Sequence, residues 1–179
     1  MAAIGDIVVF KHNVCKIESR REKYFEGKDY WELNALFERS LKLYVACDRA
    51  ELPYMRPVMG KQEALDLIDS IADSEPDSIA NDAAKASSVT TRQAKETYET
   101  YLKSLSPKDL VPVIKTCHAR SVAREESGHN PTAVDKKYLE LTEGLLCDEL
   151  SISLDIPRDE VHEFMLKRIA NAKEGVSGK

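Results

Sequence analysis

Around residues 41–46 the chain alternates, with Leu41, Leu43 and Val45 set against Lys42, Tyr44 and Ala46. This is the period of a strand with one buried face. From Gly60 onward the apolar spacing becomes three and four residues and stays so. The pattern predicts a sheet before residues 41–58 and helices after them.

Upstream, Gly5-Asp6 opens a turn, and Ile7-Val8-Val9-Phe10 is a β-branched and aromatic run short enough for a buried strand. Lys11-His12-Asn13 is a polar break. A second strand over residues 14–21 sets Cys15, Ile17 and Ser19 on one face and Lys16, Glu18 and Arg20 on the other. Glu26-Gly27-Lys28-Asp29 supplies a turn, with Gly27 free to take positive φ. A third strand sets Trp31, Leu33, Ala35 and Phe37 opposite Tyr30, Glu32 and Asn34, and Arg39-Ser40 turns into the Leu41 strand. A polar stretch at residues 48–51 then leads through Pro53 and Arg56-Pro57-Val58 to Gly60. Four or five short antiparallel strands in so short a segment predict a small curled sheet or barrel, because a flat sheet of this size buries too little.

Downstream, Ala64, Leu65, Ile68, Ile71 and Ala72 define a helix that ends before Pro76. Residues 74–90 are poor in large apolar side chains and read as a linker. Thr91 is placed to cap a helix with Ala94, Tyr98, Tyr101, Leu102 and Leu105 in one stripe. Ser106-Pro107-Lys108-Asp109 is a helix start: a Ser cap, Pro at the first position, and an acid facing the positive end of the dipole. The helix it opens is expected to bury Leu110, Ile114, Cys117 and Ser121, to bend at Pro112 and to stop at Gly128. Thr132 opens another with Val134, Tyr138, Leu141, Leu145 and Leu146 inward. Pro157 breaks it and begins a last helix carrying Val161, Phe164, Met165, Ile169 and Ala172, followed by a frayed tail from Gly175. The division is thus a β domain over residues 1–59 and an all-helical domain over residues 60–179.

At 179 residues the chain suits one ordinary domain or two small ones. No apolar run approaches a membrane span, and MAAIGDIVVF lacks the basic and long apolar regions of a leader, so the cytosol is the expected compartment. The formal charge of −5 is unevenly spread: residues 1–60 hold ten Lys or Arg against nine acids, and the remainder holds sixteen against twenty-two. Binding to nucleic acid through bulk positive charge is therefore excluded, and any such contact must come from a local patch.

Little in the sequence resembles a catalytic site. Cys15, Cys47, Cys117 and Cys147 form no CxxC pair and read as buried free thiols. Cys117 and His118 are adjacent, but neighbouring helical residues project about 100° apart and cannot act as nucleophile and base. His12, His129 and His162 lack partners at metal-ligand spacing. Glu125-Glu126 and Asp148-Glu149 read as solvated helix faces, and there is no Gly-rich phosphate loop and no GxSxG. No catalytic residue, metal or cofactor is expected. Binding remains: Arg20, Arg21 and Lys23 cluster beside Tyr24 and Phe25, a mixture suited to a protein interface or to a protected hairpin tip. In the helical half Lys85, Arg92 and Lys95 are the best candidates for phosphate contacts, diluted by Glu96 and Glu99.

The opening Gly5-Asp6-Ile7-Val8-Val9-Phe10, the Tyr30 strand, residues 41–58 and the exit Val58-Met59-Gly60-Lys61-Gln62-Glu63-Ala64-Leu65 resemble the N-terminal domain of the CarD/CdnL family of bacterial transcription regulators. The Tyr101 helix, the Ser106-Pro107 start and residues 150–157 are similar to that family's helical domain in order and spacing. The resemblance implies a Tudor-like antiparallel β-barrel that docks on the RNA polymerase β subunit, partly by pairing strand edges. It also implies a helical domain that touches promoter DNA at the upstream edge of the melted bubble.

Arg20, Arg21, Lys23, Tyr44 and Arg56 are the polymerase-contact candidates, and Lys85, Thr91, Arg92 and Lys95 those for DNA. Tyr44 stands where the family commonly has Arg, and Thr91 stands near its wedging Trp. A hydroxyl cannot unstack a base step as an apolar wedge does. Two rival readings compete: a DNA-binding module that acts without polymerase, with steeply salt-dependent affinity, and a small enzyme with a cleft between the halves lined by His118 and a carboxylate.

Overall fold

Two-residue turns join the first three strands. β1 (Ile7–Phe10) passes through Lys11 and His12, at φ 48° and 69°, into β2 (Asn13–Phe25). Two successive positive φ angles give the turn whose twist matches that of the flanking strands. Glu26 and Gly27, at φ 49° and 71°, repeat the device between β2 and β3 (Lys28–Ala35). β4 (Lys42–Ala46) is followed by a 3-10 turn at Cys47–Arg49, and β5 (Met55–Pro57) returns to pair with β1. The computed structural model describes residues 2–49, 55–73, 91–104 and 106–176, and its fold is α+β, with a five-stranded antiparallel sheet followed by five helices among the described residues. The polar stretch beyond Arg49 with Pro53, the expected linker at 74–90 with Lys85, the packing of Leu105, and the side chains of Ala72 and Ala172 lie outside that description.

The strand order is β4-β3-β2-β1-β5. Among the described residues the two outer strands do not pair with each other, so the expected barrel is an open sheet. The sheet still curls, because Val45 of β4 and Met55 of β5 share one core with Val8, Phe10, Cys15, Ile17, Leu33 and Ala35. A register shift between Ile17 and Ser19 alters the expected faces. Past this bulge Ser19 aligns with Glu32 on the outer face, and Arg20 aligns with Trp31, its guanidinium 6.0 Å from the ring. The alternation read from the sequence was continuous, and one extra residue inverts it.

The helices are α1 (Lys61–Asp73), α2 (Thr91–Leu102), α3 (Pro107–Glu126), α4 (Ala133–Leu154) and α5 (Arg158–Val176). Ser106 precedes Pro107 in extended geometry without a side-chain capping bond, and Thr132 caps α4 by accepting from the Asp135 N–H at 3.0 Å. Asp155, at φ 55°, ends α4 in the left-handed region immediately before Ile156 and Pro157. Thr91 is the first residue of α2 rather than its cap, and α5 runs through Gly175 to Val176 rather than fraying there.

Side-chain burial departs from the expected stripes at several points. α3 buries Val113, Thr116 and Arg120 where Ile114 and Ser121 were expected. On α4 Leu141 is exposed, while Asp135, Thr142 and Glu149 are buried. A pattern read from apolar residues alone cannot find a face that buries carboxylates.

The two halves have separate cores, with Met59 already belonging to the helical one. Val9 and Val14, paired across β1 and β2, belong to neither, although they are only 5% and 3% exposed. On their outward side they line one small cavity together with Leu102, Leu110 and Leu145 of the helices. This explains the unbroken apolar run of β1, which is covered on both faces. None of the described helices is long and apolar enough to cross a membrane.

Candidate functional site

β4 pairs with β3 alone among the described residues, in the register Tyr30↔Ala46, Glu32↔Tyr44 and Asn34↔Lys42. A strand paired on one side presents backbone donors and acceptors to any extended segment that can lie along it. Beside this edge, on the outer face, four aromatic rings touch. Tyr24 stacks on Tyr44 with centroids 4.9 Å apart and planes at 15°, Tyr30 meets Tyr24 edge-on at 5.8 Å, and Phe25 meets Tyr30 at 6.5 Å. Tyr24 and Phe25 remain 52% and 57% exposed, so the rings form an apolar surface rather than a core.

Beneath them Glu32 is buried on the outer face. Its carboxylate accepts from Lys42 Nζ at 2.9 Å, from Arg21 Nε at 2.7 Å and from Ser19 Oγ at 3.0 Å. The Lys42 bond first, then those from Arg21 and Ser19, hold its pKa at about 2. Arg20 pairs with Asp29 at 2.6 Å, and the same carboxylate accepts the backbone N–H of Lys23, which sits at φ 48° in a second irregularity of β2. The basic cluster read from the sequence is thus where it was expected, at the β2–β3 tip, but Arg20 and Arg21 are engaged by acids of β3.

The chain matches no protein-family model and no curated protein.

The expected DNA-contact residues lie on α2. Thr91 is exposed at its start, Arg92 pairs with Glu96 at 3.0 Å, and Lys95 pairs with Glu99 at 3.6 Å. These exposed pairs one helical turn apart lower the positive field that phosphates would meet. Lys85 lies outside the described residues.

Arg56, expected as a surface contact, is turned inward. It grips Glu149 of α4 with Nη1–Oε1 at 2.5 Å and Nη2–Oε2 at 2.7 Å, and Glu149 Oε1 also accepts the Met59 N–H at 3.0 Å. Asp148-Glu149, read as a solvated pair, therefore divides: Glu149 is 3% exposed and Asp148 is half-buried against Arg158. Burial raises the Asp148 pKa, and the Arg158 bond opposes that shift. No signal in the apolar pattern marks Glu149. The clue is that Arg56 lies between the apolar Met55 and Pro57 in β5 and needs a partner if it is covered.

A cavity of about 20 Å³ lies at this joint, lined by His12, Val9, Arg56, Ser106 and Leu145 among others, with room for about one water. Burial and then the Arg56 charge lower the His12 pKa. His118 is exposed on α3 and takes no part, and the Cys117 thiol beside it is buried. Among the described residues no group of three or more His, Cys, Asp or Glu side chains is placed to hold a metal ion.

Proposed function

We propose that this protein is a CarD-like regulator of transcription that docks on the RNA polymerase β subunit through a Tudor-like N-terminal domain. The observation that carries the reading is β4, a strand of an antiparallel sheet paired on one side among the described residues and flanked by exposed aromatic rings. A strand of the polymerase adds to that edge, and main-chain hydrogen bonds supply the attachment. The Arg56–Glu149 grip and the covered Val9–Val14 pair then hold the helical half at a set angle to the docked sheet.

In this reading the helical domain approaches promoter DNA at the edge of the melted bubble and stabilises the open complex. Its contribution is positional more than electrostatic, since Arg92 and Lys95 are matched by Glu96 and Glu99. Docking to protein therefore dominates the affinity, and salt dependence is shallow.

The test is retention of purified bacterial RNA polymerase β subunit by the immobilised full chain. Retention at moderate salt supports the reading. No retention, or a DNA mobility shift that needs no polymerase and vanishes steeply with salt, overturns it.

A further inference from the structure

We propose that the segment accepted at the β4 edge is an extended peptide with an aromatic or β-branched residue beside Tyr44 and a carboxylate two residues away beside Lys42. This inference rests on the docking reading and names the chemistry of the strand that the edge takes.

Lys42, Tyr44 and Ala46 project from the same face of β4, as their register with Asn34, Glu32 and Tyr30 requires. A strand added along β4 sets alternate residues beside them at cross-strand distance, whichever direction it runs. The central place belongs to Tyr44, whose ring already lies on Tyr24. The stack is held by two strands and buttressed by Tyr30, so an apolar partner side chain gains contact area while little side-chain freedom is lost.

Charge decides the second position. On this face, among the described residues, the single carboxylate of Glu32 pairs with both Arg21 and Lys42, one negative charge against two positive ones. Elsewhere at this end of the sheet Arg20 pairs with Asp29 and Lys28 pairs with Asp48. Lys42 stands on the edge strand with its side chain 59% exposed, and one of its three ammonium donors is used by Glu32. A carboxylate at that place in the incoming strand completes the balance. A nucleic-acid backbone offers neither the strand hydrogen bonds nor a use for the aromatic stack at this spacing, and a single excess charge does little for a run of phosphates.

The experiment measures affinity of the full chain for purified bacterial RNA polymerase β subunit, with the wild type, Tyr24→Ala, Tyr44→Ala, Tyr44→Phe and Lys42→Glu side by side. Circular dichroism and the thermal midpoint check each variant's fold, and Tyr44→Phe keeps the ring where the alanine variant loses it. The expected result is a loss of about tenfold or more for Tyr24→Ala, Tyr44→Ala and Lys42→Glu, with Tyr44→Phe close to wild type.

Wild-type binding with all variants within about twofold of it overturns this inference and leaves polymerase docking standing. Absence of wild-type binding overturns both. A wild-type chain that is dimeric by sedimentation and becomes monomeric on Tyr44→Ala shows that a second copy occupies the edge, which also overturns the inference.

Discussion

Arg56 and Glu149, ninety-three positions apart, meet as a two-point ion pair across the junction of sheet and helices. Their side chains are 14% and 3% exposed, and Glu149 also takes up the Met59 N–H, so the pair closes a backbone donor as well as two charges. Removing one partner strands the other in a poorly hydrated place. Glu149→Gln and Arg56→Met should each cost about 3–5 kcal/mol in denaturant unfolding. The double variant should cost less than the sum of the two. Strict additivity in that cycle would contradict a direct pair.

The same junction predicts a change at His12. Burial and the nearby Arg56 charge lower its pKa, so it stays neutral somewhat below the usual range, and the stability this contributes is lost as pH falls through the lowered value. Taking away the Arg56 charge should raise the His12 pKa toward 6.5, observed as a shift of its imidazole proton titration in Arg56→Met. An unchanged titration would mean that burial alone sets it.

Glu32 gives the sheet an acid limit. Its folded pKa of about 2 lies below the ordinary glutamate value of 4.5, so the stability it contributes is complete above that value and is lost as pH falls from there toward about 2. Lys42→Gln removes the first of the bonds responsible, and the Glu32 carboxyl should then titrate higher by carbon NMR. Glu32→Gln should flatten the pH dependence of unfolding over this window. Equal slopes for variant and wild type there would refute the assignment.

Asp135 is the comparable point in the helical half. It is fully buried and accepts from Tyr98 Oη at 2.9 Å, Arg120 Nε at 2.9 Å and Thr132 Oγ1 at 2.7 Å, joining α2, α3 and the start of α4. Asp135→Asn leaves Arg120 uncompensated and should cost about 3–5 kcal/mol, whereas Tyr98→Phe, losing one neutral donor, should cost about 1–3 kcal/mol. The order of the two losses in urea unfolding is the check.

What the sequence makes legible, and what it hides, follows from these groups. Period-two spacing found β1 to β4 but not β5, while local chemistry marked the break at Lys11-His12, the turn at Glu26-Gly27 and the helix starts at Pro107 and Thr132. The bulge after Ile17 carries no marker, since Glu18 is as suited to a regular strand as to an extra residue. Glu32 and Glu149 read as outward-facing acids, and nothing in the spacing marks Asp135, because their partners come from other elements, up to ninety-three positions away. The basic and aromatic residues at the β2–β3 tip were found as a group, but the Tyr24–Tyr44 stack joins strands that the spacing cannot place together.

The four cysteines differ in what can reach them. Cys15 and Cys117 are fully buried, and burial, as the largest cause, pushes both thiols up to about 12. Cys47 and Cys147 are half-buried, and burial raises their pKa as well. The thiolate is the reactive form, so all four should react slowly at neutral pH, with Cys15 and Cys117 protected until the chain unfolds. Native labelling with an aromatic disulfide reagent should therefore modify Cys47 and Cys147 first, and denaturant should release the other two. The rate for Cys15 should follow the stability of the sheet and that for Cys117 the stability of the helical core, so Asp135→Asn should accelerate Cys117 more than Cys15. Equal acceleration of both would show that the two cores open together.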